Sequence, residues 1–548
     1  MFHSMKRTIP LLTIIILVVV AIRITLLNIP FERDEGEYAY IAWRLGHHEL
    51  PYRDWIDQKP PAIFWAYQLA LSQPLDPVRA VHLMALLWSA ASACALFLLA
   101  SRFMKPFWAV AAAVLFALLS ADPFLEGTAA NTELFMLLPL ILSQICFFSA
   151  TTVNRRGILF MIMAGALTGV AAAFKQVAAV NWFFLVALYP VFVTGERRLR
   201  QTVSFAVWSA AGVAFIWSII AACFFFRHGL ADLVYNVFTH NLEYIHAIPW
   251  SQRLSNCRNT LVTFGPALVL VGIFSVTCFV ALFATNRTKL LLFLAGWMVT
   301  SLIGVCASGY FFPHYFQQLL PVLSVAAALG AEALEGARFW RKISAWSRRM
   351  MLGGLIAIPP VMVIYPFIFS YSPAEAAGKI YPGNPFADMR ILGNRMAQIT
   401  RPDDRVFIFG AEPEVLFYAQ RVSATRYIFL FPLYGTYRDA LAKQIATANE
   451  ISANRPAAAL YLPNQLFFMP GSEQYFTRWS QSYLRDNFRA DTCLTIDPDG
   501  DLHVISGTRN QEPSVPDGQQ VVGIVLVRTK VNHGAGGTGS SGSTAKFF

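Results

Sequence analysis

The sequence is short of charge. Only 14% of its 548 residues are Asp, Glu, Lys or Arg, against about 25% in an ordinary soluble domain, which excludes water as the main solvent of the chain. It also lacks the motifs that hold nucleotides or structural metals. There is no Gly-rich phosphate fingerprint or P-loop, the turn at Gly410 missing the further glycines, and no Cys or His spacing resembles a zinc site. The sequence therefore requires no cofactor, and a divalent metal stays open. Basic residues form no stripe with interleaved aromatics, so a formal charge of +11 does not point to nucleic acid. Cysteine is scarce outside apolar stretches: Cys94, Cys146, Cys223, Cys278 and Cys306 lie within them, leaving Cys257 and Cys493 as the pair a disulfide could join.

What is present is apolar sequence. Hydrophobic residues make up 56% of the chain, and runs of about twenty, the length that crosses a bilayer, recur along its first two thirds. They fall at 8–29, 80–100, 106–121, 134–150, 158–174, 177–194, 203–226, 261–284, 289–307, 317–336 and 351–371, which predicts a polytopic α-helical membrane protein with about eleven transmembrane helices. Lys6 and Arg7 ahead of the first run suggest a signal peptide, but no small-residue cleavage site follows, and Arg23 and Pro30 lead directly into a charged loop, so a retained anchor is expected.

Lys and Arg alternate between loops. Lys6/Arg7, Arg102/Lys105, Arg155/Arg156, Arg197/Arg198/Arg200, Arg287/Lys289 and Arg338/Arg341/Lys342/Arg348/Arg349 occupy every second connection. The first intervening loop instead holds Glu32, Asp34, Glu35, Glu37, Glu49, Asp54, Asp57 and Asp76. By the positive-inside rule the N-terminus is cytoplasmic and everything after residue 371 is extracytoplasmic. The expected location is a multi-pass plasma (inner) membrane, whose lipids the basic loops face.

Three regions follow: a membrane domain at 1–371, an extracytoplasmic domain at 372–530 and a disordered tail at 531–548 rich in Gly, Ser and Thr. Asn384-Pro385 opens a helix over 385–399, the strand-like run 405–410 follows, and then come a helix near 412–420, a strand near 425–431, a helix near 437–453 and a strand near 457–462. This alternation predicts a C-terminal α/β domain. The run Ile496-Asp-Pro-Asp-Gly-Asp-Leu502 reads as a turn between strands rather than a calcium loop, since the other EF-hand ligands are missing, and 521–527 reads as a last strand. Tyr475, Trp479 and Tyr483 stand at helical spacing and are better explained as core than as a sugar platform. In the first loop, 36–47 and 60–71 mix aromatics with polar residues, as interfacial helices do.

The candidate chemistry sits in the non-basic loops. Arg33-Asp-Glu-Gly-Glu-Tyr-Ala-Tyr40 comes directly off the first span. Adjacent carboxylates near a low-dielectric surface suit a general base or a cation site, although an acidic loop is also what the charge bias alone would produce. Lys59, fixed by Pro60-Pro61, can hold an anionic phosphate or merely snorkel at a helix start. Asn131-Thr-Glu133 opens the fourth span, Lys175-Gln176 occupies the turn between the fifth and sixth, and His314-Tyr315 starts the tenth. Charges at such depth are usually functional or paired. Glu133 also suits a helix N-terminus, and His314 suits a hydrogen-bonded interfacial position.

In their order, the Asp34-Glu-x-x-Tyr-Ala39 motif, Lys59-Pro60, the polar entry at Asn131, the Lys175 turn and His314-Tyr315…Pro321 resemble the membrane-embedded C-type glycosyltransferases. The likeness is to the branch of protein O-mannosyltransferases and lipid A aminoarabinose transferase, over residues 1–335. Gln58 stands where the aminoarabinose enzymes carry Glu, and Asn131-Thr-Glu133 replaces their aspartate motif. The resemblance implies the C-type glycosyltransferase fold and inverting transfer of a hexosyl or pentosyl unit from a polyprenyl-phosphate sugar donor to an extracytoplasmic lipid, glycan or protein acceptor. It implies catalytic Asp34 with neighbouring Glu35, Tyr38 in the donor pocket, and Lys59 and Lys175 near the donor phosphate; the charge of a departing phosphate, independently of the resemblance, adds His314 or Arg253 as further partners, and Glu133, Asn131 and Tyr315 are the candidate acceptor or pocket residues. The alternative class is a transporter or flippase with the same charges along its path. Against it, no internal repeat is visible and the charges cluster at span ends.

Overall fold

The computed structural model describes residues 2–151, 157–246, 248–338, 342–435, 438–465, 472–508 and 511–529. Arg155, Arg156 and Arg341 of the basic loops and the tail at 531–548 lie outside them. Among the described residues, eight helices are long and apolar enough to cross a membrane: Thr8–Asn28, Pro77–Ala100, Thr132–Ala150, Gly157–Phe174, Arg198–Phe225, Thr288–Cys306, Pro313–Glu335 and Ala345–Phe369. The bent pair Trp250–Thr263 and Leu268–Ala284 makes a ninth if it is one span. The other two expected spans are present as shorter apolar helices, Pro106–Leu119 and Gln176–Phe192, beside a third short one at Ala62–Leu71.

The chain divides into two units. Met1–Ile29 and Gln58–Ile380 form one, and Pro30–Asp57 with Tyr381–Phe548 form the other. The division thus falls after residue 380 and places most of the first loop with the C-terminal residues.

Within the membrane unit, small residues set the closest helix crossings. A Cβ on Gly165 would collide with the Ser209 backbone, and one on Gly212 with the backbone of Ile162 and Ala166. Reciprocal glycines let the helices Gly157–Phe174 and Arg198–Phe225 touch backbone to backbone, as small residues do between spans. The basic connections meet one another. Arg287 donates to the Phe103 carbonyl at 3.1 Å, Lys105 lies 3.7 Å from Glu332, and Glu335 accepts from Arg349 at 2.8 Å and from the Trp108 indole at 2.7 Å. Such mutual contacts are what loops gathered at one end of a bundle make.

The second unit is built on a mixed sheet with strand order β2-β1-β3-β6-β4-β5. Its strands are β1 (Arg405–Phe409), β2 (Val422–Ser423), β3 (Ala458–Tyr461), β4 (Phe488–Ile496), β5 (Leu502–Ser506) and β6 (Gln520–Arg528). β1 pairs in parallel with β2 and β3, and the remaining pairings are antiparallel. β1 and β3 are buried along nearly their whole length, which explains their unbroken apolar runs. The expected strand at 425–431 is a correction: only Val422–Ser423 pairs, and the run after it is irregular. Ile428 and Leu430 are fully buried there and Tyr427 nearly so, so the apolar pattern encodes burial rather than a ladder. Thr425 and the Glu450 carboxylate satisfy its backbone instead, and Pro432 closes it.

Phe407, Phe409, Leu430, Phe476, Leu484, Phe488 and Ile524 lead the core of this unit, and Tyr475, Trp479 and Tyr483 pack against it. Trp479 and Tyr483 stack at 4.7 Å. Asp497 accepts from the backbone of Asp499 at 3.0 Å and Asp501 at 2.8 Å, which makes the acidic run a hairpin turn between β4 and β5. Cys257 and Cys493 are free thiols; Cys493 is an interior residue of β4, where burial pushes its thiol up to about 12.

Two outcomes test this packing. Gly165→Leu is expected to lower stability by about 1–3 kcal/mol through overpacking, seen as a lower melting temperature in detergent, whereas Gly157→Leu, where nothing lies within 4 Å, leaves it unchanged. Burial and the adjacent Glu412 carboxylate push the Glu414 carboxyl well above its usual range. The folded unit therefore binds a proton the unfolded chain releases, and this stabilisation is present at acid pH and lost as pH rises above the ordinary carboxylate value toward the raised one. Melting curves from pH 5 to pH 8 should show wild type losing stability relative to Glu414→Gln; a difference independent of pH would contradict the assignment.

Candidate functional site

In the membrane unit Glu133, Lys175, His314 and Tyr315, all singled out by the sequence, converge. Glu133 lies in the first turn of the helix Thr132–Ala150, with its side chain 1% exposed. A carboxylate at that depth needs partners, and it has them: Thr132 donates to it at 2.8 Å, Lys175 forms an ion pair with it, and His314 Nε2 lies 3.8 Å away. The other imidazole nitrogen, Nδ1, contacts Glu126. Sequence reasoning did not single out Glu126; its signal was an acid in the short connection between two apolar runs. Glu126 adopts a left-handed conformation, φ 51°, after a turn capped by Asp122, which accepts from the Phe124 amide at 2.9 Å. Gln317 donates to the carbonyls of Leu125 and Glu126, at 3.2 Å each, and so stitches that turn to the 3-10 helix Pro313–Leu319 carrying His314.

Lys175 belongs to the same cluster through a second face. Its ammonium sits 3.7 Å from the centre of the Tyr315 ring, a cation–π contact. The next residue, Gln176, donates to the Gln58 carbonyl at 3.0 Å, and Asn241 donates to the same oxygen at 2.9 Å. These amides clamp the backbone just before Lys59-Pro60-Pro61 onto the Lys175 turn. The Lys59 charge acts on Tyr244, whose hydroxyl burial and the neighbouring Tyr315 and Tyr310 push well above the usual tyrosine range while Lys59 opposes them. Tyr244 stacks on Tyr310 at 4.3 Å. Lys175 on Tyr315 and Tyr244 on Tyr310, with the Lys59 charge near Tyr244, are cations and tyrosines of the kind suited to an anionic phosphate ester. Tyr244 and Tyr310 were not foreseen, because no local motif marks them.

Arg253 is placed otherwise. Its guanidinium donates to the carbonyls of Ile248, at 3.1 Å, and Ile245, and lies over Trp250 at 5.2 Å, so these donors are engaged in holding the turn between two helices. Asn131 is 1% exposed, and its amide has no hydrogen-bond partner among the described residues. Among the described residues no group of three or more His, Cys, Asp or Glu could hold a metal ion.

In the second unit, Asp34, Glu35 and Tyr38 share the helix Arg33–Leu45. Glu32 and Glu35 form a capping box: the Glu32 carboxylate accepts from the amides of Asp34, at 2.9 Å, and Glu35, at 3.2 Å, while Glu35 accepts from the Glu32 amide at 3.2 Å. Glu35 is 1% exposed, and this is a structural use for it. Asp34 is half-buried, and the Tyr38 hydroxyl donates to it at 3.3 Å, one turn along. Glu49 accepts from Arg44 and from Trp55, and Asp54 accepts from the Leu50 amide at 2.7 Å, so these acids too hold the loop's own shape.

No family model matches the chain, and no curated protein matches it in sequence. Solved structures do match in three dimensions. ArnT from Cupriavidus metallidurans in the apo state superposes with a TM-score of 0.55 at 13% identity, over 96% of this chain and 98% of that one. The archaeal oligosaccharyltransferase AglB from Archaeoglobus fulgidus, in complex with an inhibitory peptide and a dolichol-phosphate, superposes with a TM-score of 0.51 at 11% identity, over 97% of this chain and 77% of that one. The apo form of the A. fulgidus oligosaccharyltransferase gives 0.52 at 12% identity, over 94% and 76%. The chain therefore has the fold that these solved structures share.

Proposed function

We propose that this protein is an inverting glycosyltransferase of the membrane, moving a sugar from a polyprenyl-phosphate carrier to an extracytoplasmic lipid, glycan or protein acceptor. The observation that carries the reading is the cluster of Lys175, Tyr315, His314 and Glu133, onto which the Gln58 clamp brings the Lys59 turn. A lipid phosphate leaving an anomeric carbon needs cations as its charge grows, and these lysines supply them. The shared fold supports the same class, since AglB was solved with a dolichol-phosphate.

In the step proposed, an acceptor hydroxyl oxygen bonds to the anomeric carbon, the bond from that carbon to the phosphate oxygen breaks with its electron pair, and the acceptor proton passes to the Asp34 carboxylate. Attack opposite the leaving group inverts the anomeric centre. Lys59 and Lys175 hold the departing phosphate. Tyr38 orients Asp34 through their hydrogen bond, and Glu35 keeps the helix start formed. Glu133 and His314 hold Lys175 in place rather than touching the reacting carbon.

Asp34→Asn is expected to lower transfer from radiolabelled polyprenyl-phosphate sugars by about 100- to 10,000-fold, the range for a general base, with the protein still monodisperse; wild-type transfer would sink the assignment. Lys59→Ala is expected to raise the donor KM by about tenfold or more, as for a lost charge-assisted hydrogen bond. Lys175→Ala alone strands Glu133 in the interior and should cost about 3–5 kcal/mol of stability. Adding Glu133→Gln restores the melting temperature but not donor binding, an outcome that a purely structural lysine would not produce. Glu35→Ala is expected to cost about 0.5–2 kcal/mol through the lost cap.

A further inference from the structure

Arg33 immediately precedes Asp34, and its side chain is held by residues far along the chain. Its guanidinium donates to the Ala411 carbonyl at 2.5 Å, to Asn384 Oδ1 at 3.2 Å and to Glu412 at 2.7 Å, the last a partner 379 positions away. The Phe386 and Phe431 rings lie 5.7 Å and 5.3 Å from it. The Glu412 side chain is fully buried, and Gln465 donates to the same oxygen that Arg33 reaches. Glu412 is therefore itself fixed.

The contacts continue on both sides of Arg33. Phe31 packs against Phe417 and Tyr418, with ring centres 6.1 Å and 6.3 Å apart. A Cβ on Gly36 would run into the backbone of Glu414, so the first turn of the helix lies directly on the Glu412-Pro413-Glu414 segment. Further along, the Tyr40 hydroxyl accepts from the Ser423 amide at 2.9 Å, and the Ile56 amide donates to Arg426 at 3.0 Å. The loop bearing Asp34 is built into the sheet domain at its start, middle and end.

We propose that Glu412, acting through Arg33, is a positioning residue for Asp34, so that the C-terminal α/β domain sets the geometry of the catalytic carboxylate; this rests on the role of Asp34 given above. The physical reason is that a helix start carries its first residues only as accurately as its neighbours are fixed, and a displacement of about 1 Å at a reacting group can cost about a hundredfold in rate. Arg33 offers a fork with several fixed donors, and a buried carboxylate opposite it resists relaxation.

Full-length protein in lipid nanodiscs carries the test. In Glu412→Gln, amide exchange over 33–38 is expected to quicken by about tenfold or more while β3 and β6 exchange as in wild type. With radiolabelled polyprenyl-phosphate sugar, kcat should fall by about 10- to 100-fold with the donor KM within about twofold, and Glu412→Asp should recover part of it. Unchanged exchange at 33–38, or faster exchange with wild-type kcat, overturns the proposal. If Glu412→Gln also opens β3 and β6, Arg33→Lys decides, since it keeps the charge but cannot reproduce the fork to Ala411, Asn384 and Glu412. A fall in its kcat at constant KM supports the proposal, and wild-type kcat overturns it. Wild-type transfer by Asp34→Asn removes the underlying role of Asp34 instead, so the two failures are distinguishable.

Discussion

A carboxylate at the head of an apolar helix is tolerable only if its charge is answered, and much of the membrane unit's polar architecture answers that of Glu133. Thr132 and Lys175 contact it directly, and His314 lies close by. His314 in turn needs the turn that carries Glu126, and Gln317 holds that turn. The same constraint fixes Lys175 so firmly that its other face can rest on Tyr315. Taken singly, such contacts are ordinary compensation for buried charge. Together they gather Lys175 and Tyr315 beside Glu133 and His314, the cluster on which the proposed phosphate site rests.

The second unit applies another constraint to the acidic loop. Its acids are divided between tasks. Glu32 and Glu35 cap the helix, Glu49 pairs with Arg44, and Asp54 closes a turn. Asp34, half-buried and bonded to Tyr38, is the member to which the proposed function assigns proton transfer. The mixed sheet supplies rigidity: β1 and β3 pair in parallel as interior strands, and the segment after β1 receives Arg33. A domain without a nucleotide motif can thus matter to chemistry by holding a loop still.

Hydropathy made the helical membrane architecture legible, because a bilayer imposes a length rule on each span separately. Gly157–Phe174 and Thr288–Cys306 were readable for that reason. So were β1, β3 and the Asp497 turn, where local pattern and structure coincide. Ile428 and Leu430 misled, since burial in an irregular segment looks like burial in a strand. The site was legible as residue types, Lys175 and His314 being costly where they stand, but not as partnerships. Glu126 with His314, Gln176 with Gln58 and Arg33 with Glu412 join positions separated by 188, 118 and 379 residues, and no periodicity in one sequence encodes such pairings. Free Cys257 and Cys493 make the same point: being the leftover pair is no measure of proximity.

In the proposed function the protein breaks the bond between a sugar and a lipid phosphate. The direct measurement uses wild-type protein reconstituted in vesicles with a panel of polyprenyl-phosphate sugars, and mass spectrometry to follow the lipid and the sugar together. The account predicts free polyprenyl phosphate appearing in step with glycosylated acceptor for one donor of the panel. Intact polyprenyl-phosphate sugar moved across the bilayer, with no free polyprenyl phosphate formed, would contradict it.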